Sequence, residues 1–209
     1  MNNILETKNL SFKSILKYPD ITVPSGRATF ITGQSGGGKS TLLKLFNSML
    51  SPSNGEIFYD GQNIATLDTI SLRQKVLLIG QGVFLFDNTI RDNFLQFYDC
   101  RELPPPSDEK IREFLATCCA PFSLDAHCTN MSGGERQRIY MAIYISFMPE
   151  VLMLDEPTSA LDNENSYQVM KSIVELCHDN GITLIVVSHD QKLTDMFSEN
   201  TIEIKREEI

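Results

Sequence analysis

Apolar positions along the chain fall into two patterns. Near the start they alternate with polar ones, and GEIFYDG at 55–61 reads as a short strand bounded by glycines. Alternation leaves one face of a strand toward water, which suits antiparallel pairing. ATFIT at 28–32, KVLLIG at 75–80, VLMLDE at 151–156 and GITLIVVSHD at 181–190 are instead continuous apolar runs. Such runs suit strands buried on both faces of a parallel sheet, with helices between them. One helix lies in NENSYQVMKSIVELCHDNG, where Val169, Met170, Ile173, Val174 and Cys177 recur at helical spacing before Asn180-Gly181 ends it. Another follows ELPPPSDEK: the prolines break the chain, Ser107 can cap, and Asp108 and Glu109 suit the positive helix start. Its apolar face is Ile111, Phe114, Leu115 and Cys118. The predicted fold is one α/β domain with a mainly parallel sheet, an antiparallel β subdomain and a helical insert. Its core spans about 1–88 and 150–209, and the insert about 89–149.

Between ATFIT and the helix-like LLKLF stands GQSGGGKST. The pattern GxxxxGK[ST] is met by Gly33, Gly38, Lys39 and Ser40, in the strand-loop-helix setting that the pattern requires. Glycines let successive backbone N–H groups turn toward one anion without Cβ obstruction. Lys39 can reach the outer phosphates, Ser40 can ligate Mg²⁺, and the helix start adds partial positive charge. A nucleoside triphosphate is the expected ligand. An accidental lysine in a glycine-rich turn would not fill every fixed position.

Two adjacent acids, Asp155 and Glu156, end the run VLMLDE. Neighbours on a strand point to opposite sides, so the two need different tasks. Asp155 is expected to bind Mg²⁺, directly or through water, and Glu156 to polarise an attacking water as general base. Two acids closing a surface strand would be the plain reading of the pair alone. In MSGGERQR, Ser132 is a good helix N-cap and Gly133-Gly134 expose amides, which makes a second anion site or merely a capped helix.

Together GQSGGGKST, MSGGERQR, VLMLDEPTSALD and VVSHD resemble, in order and approximate spacing, an ABC-type ATPase, and the resemblance covers essentially the whole chain. It implies a RecA-like P-loop NTPase core binding ATP and Mg²⁺. It also implies a head-to-tail dimer, most simply of two identical chains, in which each nucleotide lies between two subunits. Gly33, Gln34, Ser35, Gly36, Gly37, Gly38, Lys39, Ser40 and Thr41 would hold the phosphates, while Ser132, Gly133 and Gly134 would touch the γ-phosphate held by the partner. Ser159, Ala160, Leu161 and Asp162 are assigned to the loop that communicates across the dimer, and His189 to the γ-phosphate switch. Gln81, just after KVLLIG, matches the Q-loop residue that touches Mg²⁺ or the attacking water when the loop closes. The adenine-stacking aromatic is assigned to Phe12; Ser14 occupies one alternative register and Tyr18 is another candidate. Departures from the family pattern are Gly80 where proline is common, Met131 where leucine is common, and Glu135 where glutamine is frequent.

Composition narrows the setting. The 209 residues are 42% hydrophobic, enough for a substantial core, and 27 acidic against 18 basic residues leave a net charge of −9 without a dense basic cluster. A long phosphate backbone would be repelled, which argues against nucleic acid. The longest aliphatic run, ITLIVV at 182–187, is far below the roughly 20 residues of a membrane span. MNNILETKNL lacks the features of a signal peptide, so the expected location is cytoplasmic, peripheral on the inner face of the membrane. Five cysteines without CxxC spacing read as reduced thiols filling apolar faces, and His127 and His178 as surface residues.

The expectation is therefore an ATPase subunit driving a separate transmembrane permease, docked near Gln81 and the insert. Phe84, Phe86, Phe94 and Phe97 either line that dock or form the core of the insert. The short chain, FMPEVLMLDE and the PPP-containing insert resemble the ATPase of FetA/FetB-type iron-export systems. Two rivals are a soluble ABC ATPase acting on a cytosolic scaffold, as in iron-sulfur assembly, and a sensor that binds nucleotide without turnover.

Overall fold

The alternating N-terminal segment folds as an antiparallel sheet. In the computed structural model, which describes residues 2–13 and 15–205, β1 (Asn3–Phe12) pairs with β2 (Leu16–Lys17), β3 (Thr22–Pro24) and β5 (Asn54–Tyr59). β6 (Gln62–Asn63) pairs with β5. Two-residue strands carry no readable periodicity, and β2 and β6 were not foreseen from the sequence pattern.

The continuous apolar runs form four of the five strands of the parallel sheet; the fifth, NTIEI at 200–204, alternates polar with apolar residues and was not foreseen from the sequence pattern. β4 (Ala28–Gly33), β7 (Val76–Ile79), β8 (Val151–Asp155), β9 (Thr183–Val187) and β10 (Asn200–Ile204) stand in the order β10-β4-β9-β8-β7. Every residue of β8 and β9 is buried, which explains why these central strands contain so little polar sequence. KVLLIG yields only four strand residues, because Lys75 closes the short helix α2 (Thr69–Lys75), capped by Asp68.

By its internal contacts the chain forms two units. The first comprises both sheets: Met1–Gly80, Pro149–Pro157 and Cys177–Ile209. Its core packs Leu42, Leu43, Leu45 and Phe46 of α1 (Lys39–Phe46) among Leu5, Ile31, Ile57, Val151, Met153, Ile185 and Val187. Burying each such side chain contributes roughly 1.5–3 kcal/mol, so α1 is anchored through its apolar face. Its amino end is thereby held at the carboxyl edge of β4.

The second unit comprises Gln81–Met148 and Thr158–Leu176. It contains α3 (Ile90–Asp99), α4 (Asp108–Thr117), α5 (Gly133–Ile145) and most of α6 (Asn163–Asp179). α3, α4 and α5 pack together, and each begins at a side-chain cap: Thr89, Ser107 and Ser132. Ile139 to Ile143 of α5 are all buried, so this helix shows no polar stripe. Arg91 of α3 grips Asp108 of α4 through two bonds, at 3.2 and 3.0 Å, and also pairs with Asp125. The phenylalanines divide: Phe94 is fully buried, while Phe84 is exposed and meets Phe86 and Phe97 edge to face.

Candidate functional site

The phosphate loop joins β4 to α1 through two residues that only glycine suits. At Gly33, φ is 135° and a Cβ would lie 2.2 Å from the Ile204 carbonyl oxygen, so β10 leaves no room for a side chain. At Gly38, φ is 91° in the left-handed region, and no side chain caps α1. The first amides of α1 therefore remain available to an anion, as does the positive end of its dipole. Gly37 donates its N–H to the Gln34 carbonyl at 3.1 Å, closing the turn. Gln34, Ser35 and Gly36 are exposed at its tip, and Thr41 is half-buried in the first turn of α1.

Lys39 is buried, and its ammonium donates to the carbonyls of Gly33 and Gln34, both at 2.9 Å. Burial lowers its pKa, and the Glu156 and Asp155 carboxylates partly oppose that shift. Ser40 Oγ donates to Asp155 Oδ1 at 2.9 Å, although β9 lies between β4 and β8 in the sheet. Two hard oxygens this close fit Mg²⁺, which typically takes one or two protein ligands and keeps several waters.

Glu156 behaves differently from its neighbour. Its φ is 54°, a left-handed value that costs energy for a residue with a side chain, yet its N–H still donates to Val187 O at 3.0 Å. The two carboxylates do diverge, as expected, but the cause is this turn of the backbone rather than strand pleating. Asp155 is buried against Ser40, whereas Glu156, with 28% side-chain exposure, has Oε1 3.2 Å from His189 Nε2. Strained backbone of this kind clusters at functional sites.

Two aromatic candidates separate. Tyr18 is 6% exposed and its hydroxyl donates to the Gly38 carbonyl at 3.0 Å, so the ring has no open face for a base. Phe12 is half-buried on β1, with Lys13 Nζ 5.4 Å from its ring centroid. Ser14 lies outside the described residues. The tie between Tyr18 and the phosphate loop was missed in the sequence. The signal was the alternation in Leu16-Lys17-Tyr18, which turns Tyr18 inward with Leu16.

In the second unit, Ser132 and Glu135 form a reciprocal capping box at the start of α5. Ser132 Oγ donates to Glu135 Oε2 at 2.8 Å, while the Glu135 N–H donates back to Ser132 Oγ at 3.3 Å. The Ser132 N–H, donating to Glu135 Oε2 at 2.8 Å, and after it the Ser132 hydroxyl hold the Glu135 carboxyl below its usual range. A Cβ at Gly133 would meet open space, but one at Gly134 would lie 3.1 Å from Ala160 O. Ser159 is exposed, and Asp162 accepts the Asn165 N–H at 2.9 Å at the start of α6. Gln81 is exposed, two residues past the end of β7. Among the described residues no group of three or more His, Cys, Asp or Glu is placed to hold a metal ion.

This combination of a glycine-rich loop, a capped SGG helix and paired acids is matched by known sequences: residues 16–159 fit the ABC transporter family. The chain belongs to that family. It is an ATP-binding ABC subunit, similar to "Probable iron export ATP-binding protein FetA" of Escherichia coli (strain K12), 36% identical over 194 residues, covering 90% of this chain and 85% of FetA. "Phosphonates import ATP-binding protein PhnC 2" of Synechococcus sp. (strain JA-2-3B'a(2-13)) is 33% identical over 208 residues, covering 93% of this chain and 75% of that protein. The dimeric structure of MJ0796, a bacterial ABC transporter cassette, superimposes with a TM-score of 0.84 at 25% identity, covering 98% of this chain and 97% of that cassette. In this ABC subunit, no helix among the described residues is long and apolar enough to cross a membrane.

Proposed function

We propose that this ABC subunit hydrolyses ATP to drive a separate transmembrane permease from the inner face of the cell membrane. The observation that carries the reading is the convergence at the carboxyl edge of one sheet. Lys39 and Ser40 at the start of α1, Asp155 at the end of β8, and Glu156 facing His189 all lie there. Ligands of open parallel sheets bind at this edge.

Each group then has a task. The uncapped amides of Gly38–Ser40 and the Lys39 ammonium take the β- and γ-phosphates, with Lys39 exchanging loop carbonyls for phosphate oxygens. Ser40 and Asp155 hold Mg²⁺, which when bound neutralises developing phosphate charge. Glu156 accepts a proton from the attacking water, and His189 restrains the Glu156 carboxylate and contacts the γ-phosphate. Ser132, Gly133 and Gly134 of a second copy cap the same γ-phosphate, and Gln81 links nucleotide state to the permease. Phe12 is assigned to the adenine face.

Metal export is the cargo reading we favour. Similarity to FetA supports it, as does the PPP segment. The phosphonate-import relative shows that motor residues alone do not specify cargo.

The test is hydrolysis by purified protein. Wild type should turn over ATP only with Mg²⁺. Glu156→Gln should lower kcat about 10²–10⁴-fold, the usual worth of a general base, while still binding ATP and accumulating as a dimer. A wild type that binds ATP without turnover would instead be a sensor. Activity at wild-type rate in Glu156→Gln would remove the general-base assignment. Detergent-dependent co-purification with a membrane protein separates the transporter from a soluble scaffold ATPase.

A further inference from the structure

The Gly38 carbonyl accepts two hydrogen bonds. One comes from the Leu42 N–H at 2.9 Å, the first bond of α1, and the other from the Tyr18 hydroxyl at 3.0 Å, from a strand hairpin twenty residues earlier. Helix propagation requires the first bond, but nothing in a loop-to-helix junction requires the second. Tyr18 is placed for it by the hairpin register. Phe12 pairs with Leu16, Tyr18 donates its N–H to Leu10 O at 2.9 Å, and Leu16 and Tyr18 share one face of the strand. Both press on Gly38, where a Cβ would lie 2.8 Å from Tyr18 Oη and 2.9 Å from Leu16 Cδ1.

A planar trans peptide places the Gly38 C=O and the Lys39 N–H on opposite edges of one rigid plate. A donor that fixes the carbonyl fixes the direction of that N–H, and a hydrogen bond to the carbonyl also strengthens the N–H as a donor. Lys39 N–H is among the uncapped amides of α1, those that an anion at the helix start would use. We propose that Tyr18 is a positioning residue for phosphate binding: its hydroxyl clamps the Gly38–Lys39 peptide in the orientation that aims the Lys39 amide at a bound nucleotide phosphate. Tyr18 touches no nucleotide; it acts through Gly38. The clamp also gives the buried Tyr18 hydroxyl a partner, a bond that phenylalanine at this position could not make. This inference rests on the ATP reading of the loop.

The experiment compares wild type, Tyr18→Phe and Tyr59→Phe. Tyr59 is also buried in the first unit, and its hydroxyl bonds to Glu150, away from the phosphate loop, so its variant reports a lost buried hydroxyl without a lost clamp. Dissociation constants for ATP and ADP are measured by calorimetry, apparent KM and kcat by hydrolysis, and the Lys39 amide resonance by ¹⁵N-edited NMR of the free protein. Tyr18→Phe should weaken ATP and ADP alike by about two- to tenfold, the worth of one hydrogen bond. It should raise KM with kcat changed less than about twofold, and shift the Lys39 amide resonance, while Tyr59→Phe lowers thermal stability with wild-type affinity. Wild-type affinity in Tyr18→Phe would overturn the clamp while leaving the ATP reading intact. Equal loss of affinity in both variants would reduce Tyr18 to a stability role. A wild type that bound neither nucleotide would sink the ATP reading itself.

Discussion

Ser40 and Asp155, 115 residues apart in the chain, meet at 2.9 Å at the edge of the parallel sheet, with the Ser40 hydroxyl as donor. The contact crosses over β9, so it depends on the strand order and not on either segment alone.

Magnesium dependence follows from that pair. Ser40→Ala or Asp155→Asn should raise the Mg²⁺ concentration for half-maximal hydrolysis at least tenfold, as loss of a metal-supporting oxygen generally does. A magnesium titration at saturating ATP measures it. Unchanged magnesium dependence in both variants would place the ion elsewhere.

The Ser132–Glu135 capping box bears on dimer formation. Glu135 carries a full negative charge beside the SGG segment proposed to cap a γ-phosphate. Glu135→Gln keeps a side-chain acceptor for Ser132 and removes the charge. Two like charges about 4 Å apart in water repel by roughly 1 kcal/mol, and a head-to-tail dimer holds two such pairs, so the protein concentration at which ATP drives dimerisation should fall about thirtyfold. Sedimentation velocity in a Glu156→Gln background reads this directly, and the effect should shrink at high salt.

Acid stability has a defined direction. Asp68, Asp108, Glu135, Glu150 and Asp162 all sit below their usual range, Asp68 and Glu135 chiefly through backbone hydrogen bonds, Asp108 through Arg91, Glu150 through Tyr59, and Asp162 through the Asn165 N–H. Each binds its proton less readily folded than unfolded, so its stabilisation is complete above the unfolded value of about 4 and is lost as pH falls through the folded one. Thermal unfolding should be flat from about pH 8 to 5 and fall steeply below about pH 4. Asp108→Asn should flatten that acid limb.

Thiol chemistry provides an independent check on burial. Cys118, Cys128 and Cys177 are buried, and burial raises all three thiols, that of Cys177 to about 12. Iodoacetamide at pH 7.5 should therefore label Cys100, which is exposed, within minutes, while those three react only after denaturation. Mass spectrometry of tryptic peptides distinguishes them.

By itself the sequence determined whatever a few consecutive residues can encode. The phosphate loop was readable because Gly33 and Gly38 need backbone conformations reserved for glycine, and because Lys39 and Ser40 follow Gly38 directly at the fixed places of the pattern. Caps at Ser107 and Ser132, and the central strands, were legible for the same local reason. Tertiary structure decided the rest. Which phenylalanines are core and which are surface, why Asp155 and Glu156 part company, and the tie from Tyr18 to Gly38 all depend on strand order, hairpin register and a left-handed backbone at Glu156. Periodicity shows that a side chain is turned inward; only the pairing of distant strands establishes what it meets there.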